Sequence, residues 1–187
     1  METRNIVRLG HPALREPAAP VSPEALRGPE VQSLLEDMIR AMREAGGVGL
    51  AAPQLGEPWQ IFVYEVASEE GEGREDEIPL RILVNPMVEP EAGELVYDWE
   101  GCLSIPGLRG LVPRYPQVRV HGLDRNGEAQ DFVASGFEAR IIQHEFDHLN
   151  GVVYLDRMRD LKSLAFEDEW QELMASVPGP AEPATVG

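Results

Sequence analysis

Alternation of apolar and polar positions divides the chain into a few helices and a larger number of short strands. Over residues 31–45, Val31, Leu34, Leu35, Met38, Met42 and Ala45 recur at three- and four-residue spacing with charges between them, which predicts an amphipathic helix. Pro29 is placed to start it and Gly46-Gly47 to end it, since proline suits a first turn and glycine a left-handed cap. The same spacing returns over 137–149 through Phe137, Ile141, His144 and His148, and Gly151 stops it. A last helix is expected at about 161–174. Residues 59–66 are aromatic and β-branched and read as a strand, followed by short apolar runs at 80–84, 87–88, 95–97, 118–123 and 131–134. Asn85-Pro86, Gly93, Pro113, Pro116 and Asn126-Gly127 punctuate these runs, and 124–128 reads as a hairpin turn, Asn-Gly being favoured in two-residue loops. Two stretches lack an apolar pattern. Residues 68–77 hold six acids, two glycines and one arginine and are expected to be a mobile loop, and the Pro/Gly/Ala tail 177–187 to be disordered. With no internal repeat, the pattern predicts an α+β fold of short, mostly antiparallel strands packed around the helix of 137–149, with an N-terminal and a C-terminal helix, in a single domain over 1–176.

Composition narrows the function classes. At 187 residues and 43% hydrophobic, the chain can bury one ordinary core. Sixteen Lys and Arg against 33 Asp and Glu give a formal charge of −17, which argues against a direct nucleic-acid substrate, because phosphate neutralisation needs a basic face. No stretch approaches the roughly 20 apolar residues of a membrane span. The one cysteine, Cys102, excludes an intramolecular disulfide, and residues 1–10 lack an apolar signal core, so the cytoplasm is the expected location.

The sharpest chemical signal is Gln143-His144-Glu145-Phe146-Asp147-His148. Residues four apart share a helical face, so His144 and His148 can both present a ring nitrogen to one metal ion, while Glu145 can reach a bound water without being a ligand. The third ligand decides the class. One candidate is Cys102, in Glu100-Gly101-Cys102-Leu103-Ser104; the other is a carboxylate of the last helix, Glu167 or Glu169, as in thermolysin-like zinc proteases. A closed structural site would need a fourth protein ligand, and the spare histidines His11 and His121 lie in a loop-like N-terminus and a strand. A third stretch, Gly47-Val48-Gly49-Leu50-Ala51-Ala52-Pro53-Gln54-Leu55-Gly56, is a glycine-rich turn without the Lys-Ser/Thr of a phosphate loop; its one polar side chain, Gln54, can donate to an oxyanion.

Together these three stretches resemble the peptide deformylase family, which is recognised by a glycine loop ending in Gln, a Glu-Gly-Cys-Leu-Ser stretch and a Gln-His-Glu-x-Asp-His-Leu helix in that order. The resemblance extends from Ile6-Val7-Arg8-Leu9-Gly10-His11-Pro12 to about Arg157. It implies removal of the formyl group from the N-terminal formylmethionine of nascent chains, by attack of a metal-bound hydroxide. Cys102, His144 and His148 would bind the metal, commonly Fe²⁺ in the family, with Zn²⁺, Ni²⁺ or Co²⁺ accepted. Glu145 would be general base and acid, and the Gln54 amide and Leu103 N–H would meet the oxyanion. Val48, Gly49 and Gly101 would hold the substrate backbone, and Phe137 and Ile141 would flank the methionine pocket. Arg140 stands where the family more often has an aliphatic residue, and its stem is expected to pack there with the guanidinium in solvent. Some relatives dock transiently on the ribosome through a basic C-terminal helix; Glu167, Asp168, Glu169 and Glu172 against Lys162 argue against that mode here.

Overall fold

A computed structural model of the chain describes residues 4–67, 77–91 and 93–176. The acidic stretch 68–77, apart from Glu77, and the tail 177–187 lie outside the described residues. A 3-10 turn, Pro12–Leu14, and a short helix, α1 (Pro23–Arg27), lead into α2 (Pro29–Glu44), which Pro29 opens as the sequence suggests. Strand β1 (Gly49–Ala51) and a 3-10 turn (Ala52–Leu55) precede β2 (Ile61–Val66), β3 (Ile78–Pro90), β4 (Val96–Cys102), β5 (Ile105–Arg114), β6 (Gln117–Leu123) and β7 (Ala129–Ser135). Then come α3 (Gly136–Leu149), α4 (Tyr154–Arg157), β8 (Ala165–Phe166) and α5 (Glu167–Ser176). The expected α+β class holds: all named strand pairs are antiparallel, in a five-stranded sheet ordered β1-β2-β3-β6-β7 and a three-stranded sheet ordered β4-β5-β8.

Strand β2 explains the layering. Its residues Ile61, Phe62, Val63 and Tyr64 are all fully buried, which one covered face cannot produce because successive side chains point to opposite sides. Ile61 and Val63 pack with Leu34, Leu35, Met38 and Met42 of α2, whereas Phe62 and Tyr64 pack with Ala139, Ile142 and Leu149 of α3. The large sheet is therefore covered on both faces. A third cluster, Ile105, Val112, Val153 and Tyr154, joins the small sheet to α4.

Three elements differ from the sequence reading. Asn85-Pro86 does not break the strand: β3 runs continuously through it, with a register shift against β6 between Val84 and Met87. Asn85 takes φ +50°, and its side-chain amide accepts from Val21 N–H (2.8 Å) and donates to Val21 C=O (2.8 Å), which holds it in the left-handed region. Strand β5, with two prolines and two glycines, escapes propensity altogether. It forms because β4 pairs along nearly its full length, and its prolines lie outside Leu108 and Arg109, the residues that β8 pairs. Gly110 there lets Met158 pack close against the strand, since a Cβ would stand 2.5 Å from Met158 Sδ and the methionine would have to shift. The last helix starts at Glu167 rather than 161, Ala165 and Phe166 being drawn into the small sheet. The 124–128 turn occurs as expected, although Asp124 Oδ1 accepts from the N–H groups of Asn126 and Glu128 and lengthens it beyond two residues.

Candidate metal centre and cleft

Helix α3 carries His144 and His148 on the face turned toward the end of β4, and the strand ends at Cys102. Cys102 Sγ, and one ring nitrogen each of His144 and His148, lie within 4.8 Å of one another. His148 Nε2 is 3.3 Å from Cys102 Sγ, and the two imidazoles meet edge to face at 5.0 Å between centroids. His144 Nδ1 lies 2.9 Å from Glu100 Oε2; a proton held there by the carboxylate directs Nε2 to the cysteine, an orientation that suits ligation. Two histidines and one thiolate are a donor set for a four-coordinate ion with one position left open. Glu167, the alternative carboxylate, is engaged elsewhere: it accepts from Arg109 Nε and Nη2 at 3.0 and 2.6 Å. His121 faces Asp131, and His11 accepts from Ala13 N–H.

Behind the donor set lies a group of buried charges that periodicity did not reveal. Glu100 accepts from Arg114 Nε and Nη2 at 2.9 and 3.0 Å and from Arg140 Nη1 at 2.9 Å, in addition to His144. Arg114 also reaches Asp147 Oδ2 at 2.6 Å, and Asp147 is in turn held by Arg157, whose Nη2 lies 2.6 Å from Oδ1. Burial alone would raise the Glu100 pKa, but the hydrogen bonds from His144 and Arg114 outweigh it and hold Glu100 ionised well below the usual carboxylate range. Arg140 corrects an expectation. Its guanidinium is buried, not in solvent, and donates to Glu100 and to the carbonyls of Val112 (2.9 Å) and Val96 (2.8 Å). A buried carboxylate beside two guanidiniums requires each charge to be matched, which explains why an arginine is accommodated at that helix position.

The remaining residues fall around one open cleft of about 680 Å³, lined among others by Val48, Gly49, Gln54, Gly101, Cys102, Leu103, Phe137, Ile141, His144 and Glu145. Gln54 is only 1% exposed; its Oε1 accepts from Ala51 N–H at 2.8 Å, which turns the amide Nε2 toward Ser104 Oγ (3.2 Å) and Cys102 Sγ (3.5 Å). Leu103 sits in the turn joining β4 to β5, its side chain against Gly47. Glu145 is 4% exposed, and burial pushes its carboxyl up to about 7. Its Oε2 has no hydrogen-bond partner among the described residues. A buried carboxyl with one oxygen unpartnered, beside three clustered donor atoms, fits a site that receives a cation and a water.

Gly49 has a role that the sequence reading missed. A Cβ on it would stand 2.8 Å from Glu145 Cδ and closer still to Oε1, so β1 passes the carboxylate only without a side chain. Gly49→Ala should displace Glu145 and lower kcat by about 10- to 100-fold with bound metal unchanged, because a displacement of about 1 Å is enough for such a loss. Steady-state kinetics alongside metal analysis checks this.

A family profile described as polypeptide deformylase matches residues 3–164. The chain is 41% identical over 163 residues to peptide deformylase 1 of Nitrosomonas europaea, covering 87% of this chain and 92% of that one. It is 44% identical over 163 residues to peptide deformylase 2 of Bordetella bronchiseptica, at the same coverage. Among solved structures it resembles a Met-Ala-Ser-bound class I type b peptide deformylase of Acinetobacter baumannii, with TM-score 0.78, 34% identity, and coverage of 84% of this chain and 99% of that one.

Proposed function

Because the chain belongs to the polypeptide deformylase family and is a peptide deformylase, we propose that it removes the formyl group from the N-terminal formylmethionine of newly synthesised polypeptides, with Cys102, His144 and His148 holding one divalent metal ion. The observation that carries this reading is the buried Glu145 carboxyl, its Oε2 without a partner among the described residues, beside a Cys-His-His donor set of which Cys102 and His144 line the cleft. A divalent cation in that set supplies Lewis acidity that makes a water acidic near neutral pH; we take Fe²⁺ as the resident ion, with Zn²⁺, Ni²⁺ or Co²⁺ accepted by the same ligands.

The chain's own residues do the rest. Glu145 takes a proton from the attacking water and returns it to the departing amine nitrogen, a role its burial in the cleft beside the donor set suits. The Gln54 amide, locked by Ala51 N–H, and the Leu103 N–H stabilise the oxyanion that develops on the formyl group, without reorganising as it forms. Val48, Gly49 and Gly101 offer backbone groups to an extended peptide, and Phe137 and Ile141 flank the methionine side chain. The Acinetobacter relative has Met-Ala-Ser bound, which supports a short peptide as the ligand. The enzyme acts in the cytoplasm on nascent chains, meeting the ribosome transiently, and α5 with its acids is not a basic docking helix.

Gln54→Ala should lower kcat by about 10²- to 10³-fold with little change in KM, since the lost donor acts mainly on the developing charge. The function itself is tested by offering the metal-loaded protein formyl-Met-Ala-Ser, acetyl-Met-Ala-Ser and a longer unblocked peptide. Formate from the first and no acetate from the second are expected; cleavage of internal bonds in the third would instead make the protein an endopeptidase.

A further inference from the structure

The chemistry above occupies the cleft floor and leaves one wall without a role. On that wall Arg109 stands opposite Gly101 in the β4–β5 pair, its Nη1 3.6 Å from where a Gly101 Cβ would be. Both guanidinium bonds described above converge on one oxygen, Glu167 Oε1 at the first residue of α5. The same guanidinium lies 4.8 Å from the centroid of the Trp170 ring, and Trp170 meets Trp99 edge to face at 6.3 Å. Arg109, Glu167 and Trp99 all line the cleft.

The side chains of Arg109 and Glu167 are 34% and 54% exposed, so the pair contributes little to folding. Its consequence is electrostatic. Two opposite charges in contact cancel most of each other's field on a third charge passing along the wall, whereas either one alone would attract or repel it. The contact with Trp170 favours the guanidinium's position on the wall. A peptide whose backbone runs beside Gly101 carries its side chains past this point.

We propose that Glu167 is a specificity-determining residue: by neutralising Arg109 it makes the cleft indifferent to charge just beyond the methionine, so that formylated chains with acidic or basic residues there are processed alike. This rests on the deformylase reading of the cleft. Arg109 and Glu167 then act as a matched pair, each unmasked by removal of the other.

The test compares kcat/KM, by formate release, for formyl-Met-Lys-Ala and formyl-Met-Glu-Ala amides. Their ratio is internal to each protein, so a partial loss of active enzyme in a variant cancels. The wild type should give a ratio within about threefold of one. Glu167→Gln should shift the ratio toward the acidic peptide by about three- to tenfold, and Arg109→Met toward the basic peptide by a similar factor. The double variant should return near the wild-type ratio, and both single shifts should shrink on raising salt from about 0.05 to 0.5 M. A wild-type ratio far from one, an unmoved ratio in Glu167→Gln, or shifts of the same sign in both single variants would overturn the inference. Absence of formate from every peptide with wild-type protein would instead remove the deformylase reading, and this inference with it.

Discussion

Glutamine in place of Glu145 should lower kcat for deformylation by about 10²- to 10⁴-fold while metal content stays at the wild-type level. The change removes the proton acceptor and donor and keeps the shape. Glu145 is not within the cluster of Cys102, His144 and His148 donor atoms, so ligation is not expected to suffer. Nor is folding: the carboxyl is buried with Oε2 unpartnered, and a neutral amide of the same size has less to lose by leaving water. The thermal midpoint should therefore be unchanged or raised. Loss of activity together with loss of metal, or a kcat within tenfold of wild type, would show that Glu145 is not the proton carrier. Parallel measurement of formate release, metal stoichiometry and thermal unfolding separates these cases.

The second large effect is expected at Cys102. Cys102→Ala leaves two imidazoles and no thiolate, and should weaken metal affinity roughly 10³-fold or more, abolishing retention through dialysis against a weak chelator. Activity should fall with it. Neither Glu167, drawn to Arg109 on the cleft wall, nor Glu100, committed to His144, Arg114 and Arg140, is placed to substitute. A variant that still binds one equivalent of metal would bring back the carboxylate-ligated alternative. The metal-free variant should remain folded, because Cys102 is only partly buried and its loss breaks no buried ion pair.

Of these two residues, Glu145 was legible in the sequence from its place beside the histidine pair, whereas Cys102 stood against Glu167 and Glu169 as third ligand until the family resemblance favoured it. His144 and His148 stand one helical turn apart on one face, and Glu145, next to His144, lies about a quarter-turn away from it. The ordering of the glycine loop, the cysteine stretch and the helix carried the rest of the cleft: Val48, Gly49, Gln54, Gly101, Leu103, Phe137 and Ile141 all come to line it. What escaped is non-local. Glu100, Arg114, Arg140 and Asp147 look like ordinary surface charges in a linear pattern, and only the fold brings them into one buried group behind His144. For the same reason Arg140 was expected to reach solvent: nothing in its neighbours reveals a carboxylate 40 positions upstream. Gly49 was read as a substrate contact, whereas its lack of a side chain is first a condition for Glu145 to lie against β1. Strand β5 was hidden by its own prolines and glycines, which cross-strand pairing overrides. Conversely, Asn85-Pro86 was read as a break and is a bulge secured by Val21, far away in sequence.

The most direct measurement is a metal titration of the metal-free protein, carried out anaerobically with Fe²⁺ and read out by formate release from formyl-Met-Ala-Ser. Activity should rise in proportion to bound metal, level off at about one ion per chain, with kcat on the order of 1–10³ s⁻¹, and vanish when a strong chelator removes the ion. One equivalent of metal bound without formate release, or formate release that persists in the fully metal-free protein, would contradict the assignment of Cys102, His144 and His148 as the ligands of a deformylating metal centre.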